Sequence, residues 1–286
     1  LVMETAAKFK EFEKGEIKKS PFLRRKAMIN LFFENSTRTR TSFELAGKRL
    51  STDVINVSVA TSSVKKGETI IDTAKTLDAM NIDAYVIRHG VAGIPQLFAQ
   101  NVRGAVINAG DGANEHPTQA LLDAFTILEK KGTISGLNVA IVGDVLHSRV
   151  ARSNIYLLKK MGADVTLIGP NTLLPDEFKN MGVKISHKLD ANLKEFDVVN
   201  ILRIQMERQS GGFFPSLGEY RALFGINAKR VENMKDDVII MHPGPMNRDV
   251  EISYDVADCG KQVILDQVEN GVAIRMAALY LLLNDN

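Results

Sequence analysis

The chain has 286 residues, enough for two α/β domains of ordinary size, and its 45% hydrophobic and 24% charged composition is that of a globular protein. A formal net charge of +2 is too small for a general nucleic-acid binder. One cysteine, Cys259, excludes internal disulfides, the five histidines are too scattered for a Cys/His metal cluster, and no apolar run reaches membrane-spanning length. With no signal peptide in view, these features suit a reducing cytoplasm. The chain opens at Leu1 within a predicted helix, 1–13, so its natural start is expected upstream.

Met28, Ile29, Leu31, Phe32 and Phe33 form an apolar run without alternation, which predicts a strand covered on both faces. Ser36 and Thr37 are candidate caps for the next helix, whose packing face is Phe43, Ala46, Gly47 and Leu50. A second strand is expected over 54–59, a small basic loop over 60–67, and an amphipathic helix over 68–80. Strand 84–88, helix 94–100 and strand 105–108 follow, then a glycine-rich loop over 109–116 and a helix opened by Pro117. This alternation implies βαβ units and a parallel sheet. After a break at 130–136 the pattern restarts, with strands expected at 139–142, 165–168, 183–186, 198–202 and 238–241. Helices are expected around 149–161, 176–181 and 227–234, a long loop over 205–220, and a helical pair over 261–283. The expected fold is two doubly wound parallel-sheet domains, 1–132 and 133–267, with a C-terminal helix, 268–286, returning to the first.

Ligands of parallel sheets bind at the carboxyl ends of the strands. Those ends carry arginine, lysine, histidine and hydroxyl groups, a lining suited to substrates with several negative charges, and no nucleophile with a paired base. Arg38, in the first turn of a helix, opposes the helix dipole. A bound phosphate would explain it, because free N–H groups, hydroxyls and a guanidinium fork together make an anion cage.

Phe33-Glu-Asn-Ser-Thr-Arg-Thr-Arg40, Val86-Ile-Arg-His89, His116-Pro-Thr-Gln119, Ser148-Arg-Val150, Leu202-Arg-Ile-Gln-Met-Glu-Arg208 and His242-Pro-Gly-Pro245 occur in this order. With that ordered set the chain resembles the aspartate/ornithine carbamoyltransferases over nearly its whole length, and within them the aspartate-using members. The resemblance implies transfer of a carbamoyl group from carbamoyl phosphate to the α-amine of L-aspartate, in pyrimidine synthesis, with no cofactor and no metal. It implies that Ser36, Thr37, Arg38 and Thr39 hold the phosphate, and that Thr39, Arg88 and His116 converge on the carbamoyl oxygen. Gln119 would meet the carbamoyl amino group together with backbone carbonyls near Pro243. Arg149, Arg203 and Gln205 would bind the carboxylates of aspartate. Ser62 and Lys66 would enter from a neighbouring subunit, which implies a homotrimer with shared sites and leaves room for a regulatory chain or a dihydroorotase as a further partner. Glu34 would pair with Arg149 and Arg208 and close the domains over substrate.

Taken singly, each side chain has an ordinary reading: Arg88 as a solvated strand-end arginine, His116 as a loop histidine, Lys66 as part of a solvated turn, and Glu34 and Arg208 as a surface pair. Two features depart from the family pattern, Gly244 where a leucine is frequent and Gly90-Val-Ala-Gly93 without a proline. Three alternatives compete. Ornithine transfer would want a Ser-Met-Gly loop and a His-Cys-Leu-Pro turn, both absent. A nucleotide-dependent oxidoreductase is suggested by Val139-Ala-Ile-Val-Gly-Asp144, but Val145, Leu146 and His147 fill the turn where its glycines belong. A non-catalytic anion-binding subunit is the third.

Overall fold

The computed structural model describes residues 1–15, 19–58, 67–205 and 216–284. The chain divides into two compact units, Leu1–Leu122 with Val268–Asn286, and Asp123–Gln267. Both are parallel sheets flanked by helices.

The first unit is built on four strands, β1 (Ala27–Phe32), β2 (Asp53–Ser58), β3 (Ala84–His89) and β4 (Ala105–Asp111), in the order β2-β1-β3-β4. The unbroken apolar run of β1 reflects its central place, with Met28, Ile29, Leu31 and Phe32 all buried. Asn30 is the polar exception, and its side-chain NH2 donates to the side-chain Oδ1 of Asn56 at 2.8 Å, so that this buried donor has a partner. Helix α2 (Thr37–Arg49) lies close against β1 and β2. A Cβ at Gly47 would sit 2.5 Å from Met28 Sδ and 2.7 Å from Val54 Cγ2, which is why a glycine interrupts this helix. Among the other helices, α3 (Ile70–Asp78) and α4 (Ile94–Ala99) cover a cluster of Ile29, Leu31, Tyr85, Ile87 and Phe98. Helix α1 (Val2–Glu13) packs on the C-terminal helix through Phe9 and Tyr280, whose rings meet edge to face at 5.6 Å. Arg275 of that same helix stacks over Phe43 of α2 and donates to Ser42 Oγ at 2.9 Å.

The second unit has strands β5 (Asn138–Val142), β6 (Asp164–Ile168), β7 (Lys184–Ser186), β8 (Val198–Ile201) and β9 (Ile239–Met241), in the order β7-β6-β5-β8-β9. Helix α6 (Arg149–Lys160) follows β5 and buries Ala151, Ile155 and Leu158. Helix α7 (Leu217–Phe224) contributes Tyr220 and Phe224, α8 (Ala228–Glu232) half-buried Val231, and α9 (Tyr254–Ala257) Val256 to a core shared with Val142, Ile201 and Ile240. Helices α5 (Pro117–Lys131) and α10 (Ile264–Leu283) each cross the unit boundary, at 122/123 and 267/268.

Four expectations are corrected. Strand β4 runs on to Asp111, because Asn108–Asp111 side-chain bonds and the pairing of His89 with Asp111 extend the ladder into the glycine-rich stretch. Of the loop expected over 205–220, residues 206–215 lie outside the described residues, and its last part is instead helix α7, started by Ser216, whose hydroxyl accepts from Glu219 N–H. Residues 261–283 hold one long helix and no helical pair, the preceding residues turning so that Gln262 Oε1 accepts from Ile264 N–H. Asp176–Met181 winds as a 3-10 helix. Among the described residues no helix is long and apolar enough to cross a membrane.

Candidate active site

Each strand order contains one reversal. In the first unit the chain leaves β1 for β2 on one side and then returns to β3 on the other. In the second it leaves β5 toward β6 and β7 and returns to β8. The crevice at such a reversal, outside the carboxyl ends of the two strands, is where open α/β sheets bind ligands. In the first unit that places the loops after β1 and β3 side by side, since Phe32 pairs with Arg88 and Phe33 N–H donates to the Arg88 carbonyl at 2.9 Å. In the second it joins the loops after β5 and β8, with Leu202 N–H donating to the Val142 carbonyl at 2.8 Å.

The loop after β1 leads directly into α2. Ser36 occupies the N-cap position with extended backbone (φ −158°), yet its hydroxyl makes no cap hydrogen bond, unlike Thr69, Ser148, Ser216 and Asn227 at the starts of α3, α6, α7 and α8. Thr39 is buried, while Thr37, Arg38 and Arg40 are exposed. The first turn of α2 carries no acidic residue, so its N–H groups and both guanidiniums make an electropositive end. This is the hydroxyl, N–H and guanidinium set that the sequence brings together in five consecutive residues.

Beside it, Arg88 stands at the end of β3, with its Nε 3.4 Å from Glu34 Oε2. The His89 ring packs at a tilt against Phe33, centroids 4.8 Å apart, and its Nδ1 accepts from Val91 N–H at 2.9 Å. Burial pushes the His89 imidazole below its usual value, partly opposed by Glu34. One strand further, Asp111 is 1% exposed and accepts from Gly93 N–H, Asn108, Asn114 and Glu115 N–H, at 2.8 to 3.1 Å. Burial alone would push its carboxyl up, but these four donors outweigh it and hold the group below the usual aspartate value. Asp111 thereby shapes the loop that delivers buried His116, Thr118 and Gln119 at the start of α5.

In the second unit Arg149 is the first residue of α6 and is 4% exposed. Ser148 caps that helix by accepting from Ala151 N–H at 3.1 Å. Buried Asp144 fastens both sides of the crevice. Its Oδ1 lies 2.9 Å from His147 Nδ1, and its Oδ2 accepts from Gln205 N–H at 3.3 Å. Gly143 takes φ +127° between β5 and this turn, and a Cβ there would meet Tyr220 Oη at 2.9 Å and Leu202 at 3.3 Å. Arg203 and Gln205 are half-buried at the end of β8. Beyond β9, His242 N–H donates to Gln267 Oε1 at 3.0 Å, and Gln267 in turn donates to Asp123 Oδ1 at 2.7 Å. Gly244 turns this loop with φ +64°.

Ser36, Thr37, Arg38, Thr39, Arg88, His116 and Gln119 thus stand at or just beyond the carboxyl ends of strands of the first sheet, and Arg149, Arg203 and Gln205 at the reversal of the second. Ser62, Lys66 and Arg208 lie outside the described residues. The sequence reading overlooked the buried acids Asp111, Asp144, Asp123 and Glu251. An aspartate directly after an apolar strand, as at Asp144, was the available signal; Glu251 sits in a stretch with no periodicity and gave none.

The family model described as aspartate/ornithine carbamoyltransferase, carbamoyl-P binding domain, matches residues 1–129, and its companion, the Asp/Orn binding domain, matches 135–282. The chain belongs to the aspartate/ornithine carbamoyltransferase family. It is 56% identical over 283 residues to the aspartate carbamoyltransferase catalytic subunit of Heliobacterium modesticaldum, covering 99% of this chain and 91% of that one. It is 57% identical to the corresponding subunit of Desulforamulus reducens, covering 99% and 90%. Among solved structures, aspartate transcarbamoylase from Trypanosoma cruzi in complex with carbamoyl phosphate and aspartate superimposes with a TM-score of 0.89 at 33% identity, covering 99% and 92%. Ornithine carbamoyltransferase from Pyrococcus furiosus gives 0.88 at 32% identity, covering 100% and 93%. The fold is therefore common to both acceptor specificities, and the sequence identities favour the aspartate members.

Proposed function

We propose that the protein is an aspartate carbamoyltransferase, moving the carbamoyl group from carbamoyl phosphate to the α-amine of L-aspartate to give N-carbamoyl-L-aspartate and phosphate in pyrimidine biosynthesis. The observation that carries this is the identity of 55–57% over nearly the whole chain to catalytic subunits of that name. The uncapped, acid-free start of α2 supports it, being suited to the phosphate of one substrate.

In this reading residues 1–132 with the C-terminal helix 268–286 bind carbamoyl phosphate, and 133–267 bind aspartate. Ser36, Thr37, Arg38 and Thr39 hold the phosphate. Thr39, Arg88 and His116 donate to the carbamoyl oxygen, and Gln119 meets the carbamoyl amino group. Arg149, Arg203 and Gln205 anchor the two carboxylates at a fixed separation, so the amine meets the carbamoyl carbon. The C–N bond forms, negative charge gathers on the carbamoyl oxygen, the C–O bond to phosphate breaks, and the amine gives up a proton. No covalent enzyme intermediate is needed. The protein supplies alignment and charge stabilisation, where one lost donor typically costs on the order of 10²–10³ in kcat.

The active form is a cytoplasmic homotrimer in which Ser62 and Lys66 act on a neighbour's site, and Glu34 leaves Arg88 to pair with Arg149 and Arg208 when substrates are bound. A regulatory chain or a dihydroorotase is a possible further partner. A steady-state assay with carbamoyl phosphate and L-aspartate, with ornithine as parallel acceptor, tests the reaction. Product with aspartate alone supports it, and product with ornithine alone overturns it. Mixing inactive Arg38→Ala and Lys66→Ala proteins tests the shared site: reassembled trimers regain activity if it is shared and stay inactive if it is not.

A further inference from the structure

Glu251 is fully buried, in a chain segment between β9 and α9 to which the sequence assigned no role. Its Oε1 accepts from Ile204 N–H at 2.9 Å and from the Asn247 side-chain amide at 2.6 Å. Its Oε2 accepts from Asn247 N–H at 2.7 Å and lies 3.9 Å from His242 Nε2. His242 Nδ1 accepts from Gly244 N–H at 2.8 Å, so a neutral His242 carries its proton on Nε2, the edge turned toward Glu251. Every neighbour named here presents a donor. The backbone that carries this side chain is itself tied down, because Ile226 N–H donates to the Glu251 backbone carbonyl at 2.9 Å and Ser253 N–H to the Ile226 carbonyl at 2.9 Å.

The two segments that meet on this carboxylate are 203–205, after β8, and 242–247, after β9. Ile204 is buried between Arg203 and Gln205, so fixing its N–H fixes the backbone from which both neighbouring side chains project. His242 and Asn247 bracket the Pro243-Gly244-Pro245 turn in the same way. We infer that Glu251 is a positioning residue for the transfer reaction, a single buried template that sets the aspartate-binding segment and the His-Pro loop in register with each other. This rests on the functional reading given above. Its physical content is that a displacement of about an ångström in substrate-holding groups can cost on the order of 10² in rate. Glu251 touches no substrate; it acts through Ile204 and the 242–247 turn.

The amide of Glu251→Gln matches the carboxylate in shape but must direct its NH2 at a donor on one of the two segments, so the template fails without a cavity. The enzyme is assayed with the substitution, alongside Asn247→Ala, which removes one of the donors to Oε1, and Asp190→Asn, which breaks the Arg230–Asp190 ion pair away from both segments. The expected result is a rise of at least tenfold in KM for L-aspartate with Glu251→Gln and about threefold with Asn247→Ala. Inhibition by inorganic phosphate should stay within twofold of the parent, and Asp190→Asn should lower Tm alone. Glu251→Asp, which keeps all acceptors on a shorter stem, should recover part of the lost affinity. An aspartate KM within twofold of the parent for Glu251→Gln, with Tm lowered as in Asp190→Asn, overturns the inference. Should Glu251→Gln not fold, an unchanged KM in Asn247→Ala overturns it equally. A parent enzyme that makes no N-carbamoyl-aspartate overturns the functional reading itself, and the order of the assays separates the two failures.

Discussion

The proposed anion site of the first unit and the proposed aspartate crevice of the second are both built at a strand reversal, but they are held differently. At the start of α2 the groups proposed to meet an anion are consecutive residues, Ser36 to Arg40, and the helix itself orients them. In the second unit Arg149, Arg203 and the His242 loop come from three separate connections, and buried carboxylates tie the loops together: Asp144 to Gln205, Glu251 to Ile204 and Asn247, and Asp123 through Gln267 to His242. A phosphate can be gripped by one helix end, because free N–H groups already point at it. A dicarboxylate needs cations at a set separation, which no single turn of chain supplies, so the second site depends on long-range hydrogen bonds.

That contrast predicts where each site breaks. Arg38→Ala removes an exposed side chain from the first site and should lower kcat/KM for carbamoyl phosphate by about 10³-fold. Circular dichroism should be unchanged; a loss below tenfold would mean that the helix end alone carries the phosphate. Arg203→Lys keeps the charge and loses the fork, and should raise KM for aspartate by roughly 30-fold, of the order of one lost charge-assisted hydrogen bond, leaving phosphate inhibition intact. An equal effect on phosphate inhibition would show that the two sites are not separable in this way.

Gly143→Ala tests how tightly the second crevice is packed. The substitution demands φ +127° of an alanine and drives its Cβ against Tyr220 Oη, so Tm should fall by several degrees, for a cost of about 1–3 kcal/mol. Tyr220→Phe, which removes the hydroxyl in the way, should return part of that loss. The smallest effect concerns the first unit. The folded-state pKa of Asp111 lies below the unfolded one, so the unfolded chain takes the proton first. The stabilisation is therefore fully present above the unfolded value of about 3.9 and drains away as pH falls from there through the lower folded value. Asp111→Asn should be less stable than the parent at pH 7, with the gap closing below about pH 4, as read by denaturant unfolding across that range. A gap that does not depend on pH would remove the charge from the explanation.

Particular elements show how far the sequence could be read. Strand β1 and helix α2 were legible because burial on both faces and a 3.6-residue packing face are local patterns, and Phe43, Ala46 and Gly47 turned out buried as that face requires. Helix α7 was missed although Ser216 and Glu219 form the Ser-x-x-Glu start signal, because the glycines just before it suggested a loop throughout. Strand β4 was cut short because Asn108-Ala-Gly-Asp111 lacks strand character, and side-chain bonds from Asn108 and to Asp111 replace it.

By itself the sequence determined the α/β class and set hydroxyl and guanidinium groups in one contiguous turn, Ser36 to Arg40, since each depends on residues near one another along the chain. Only the tertiary structure decided which strands lie at the reversals, and that Asp144, Glu251 and Asp123 are the buried acids holding the second site. Their partners lie 61, 47 and 144 residues away, at Gln205, Ile204 and Gln267. No local pattern encodes a hydrogen bond over such a span, because it forms only when the sheet brings the strand ends together.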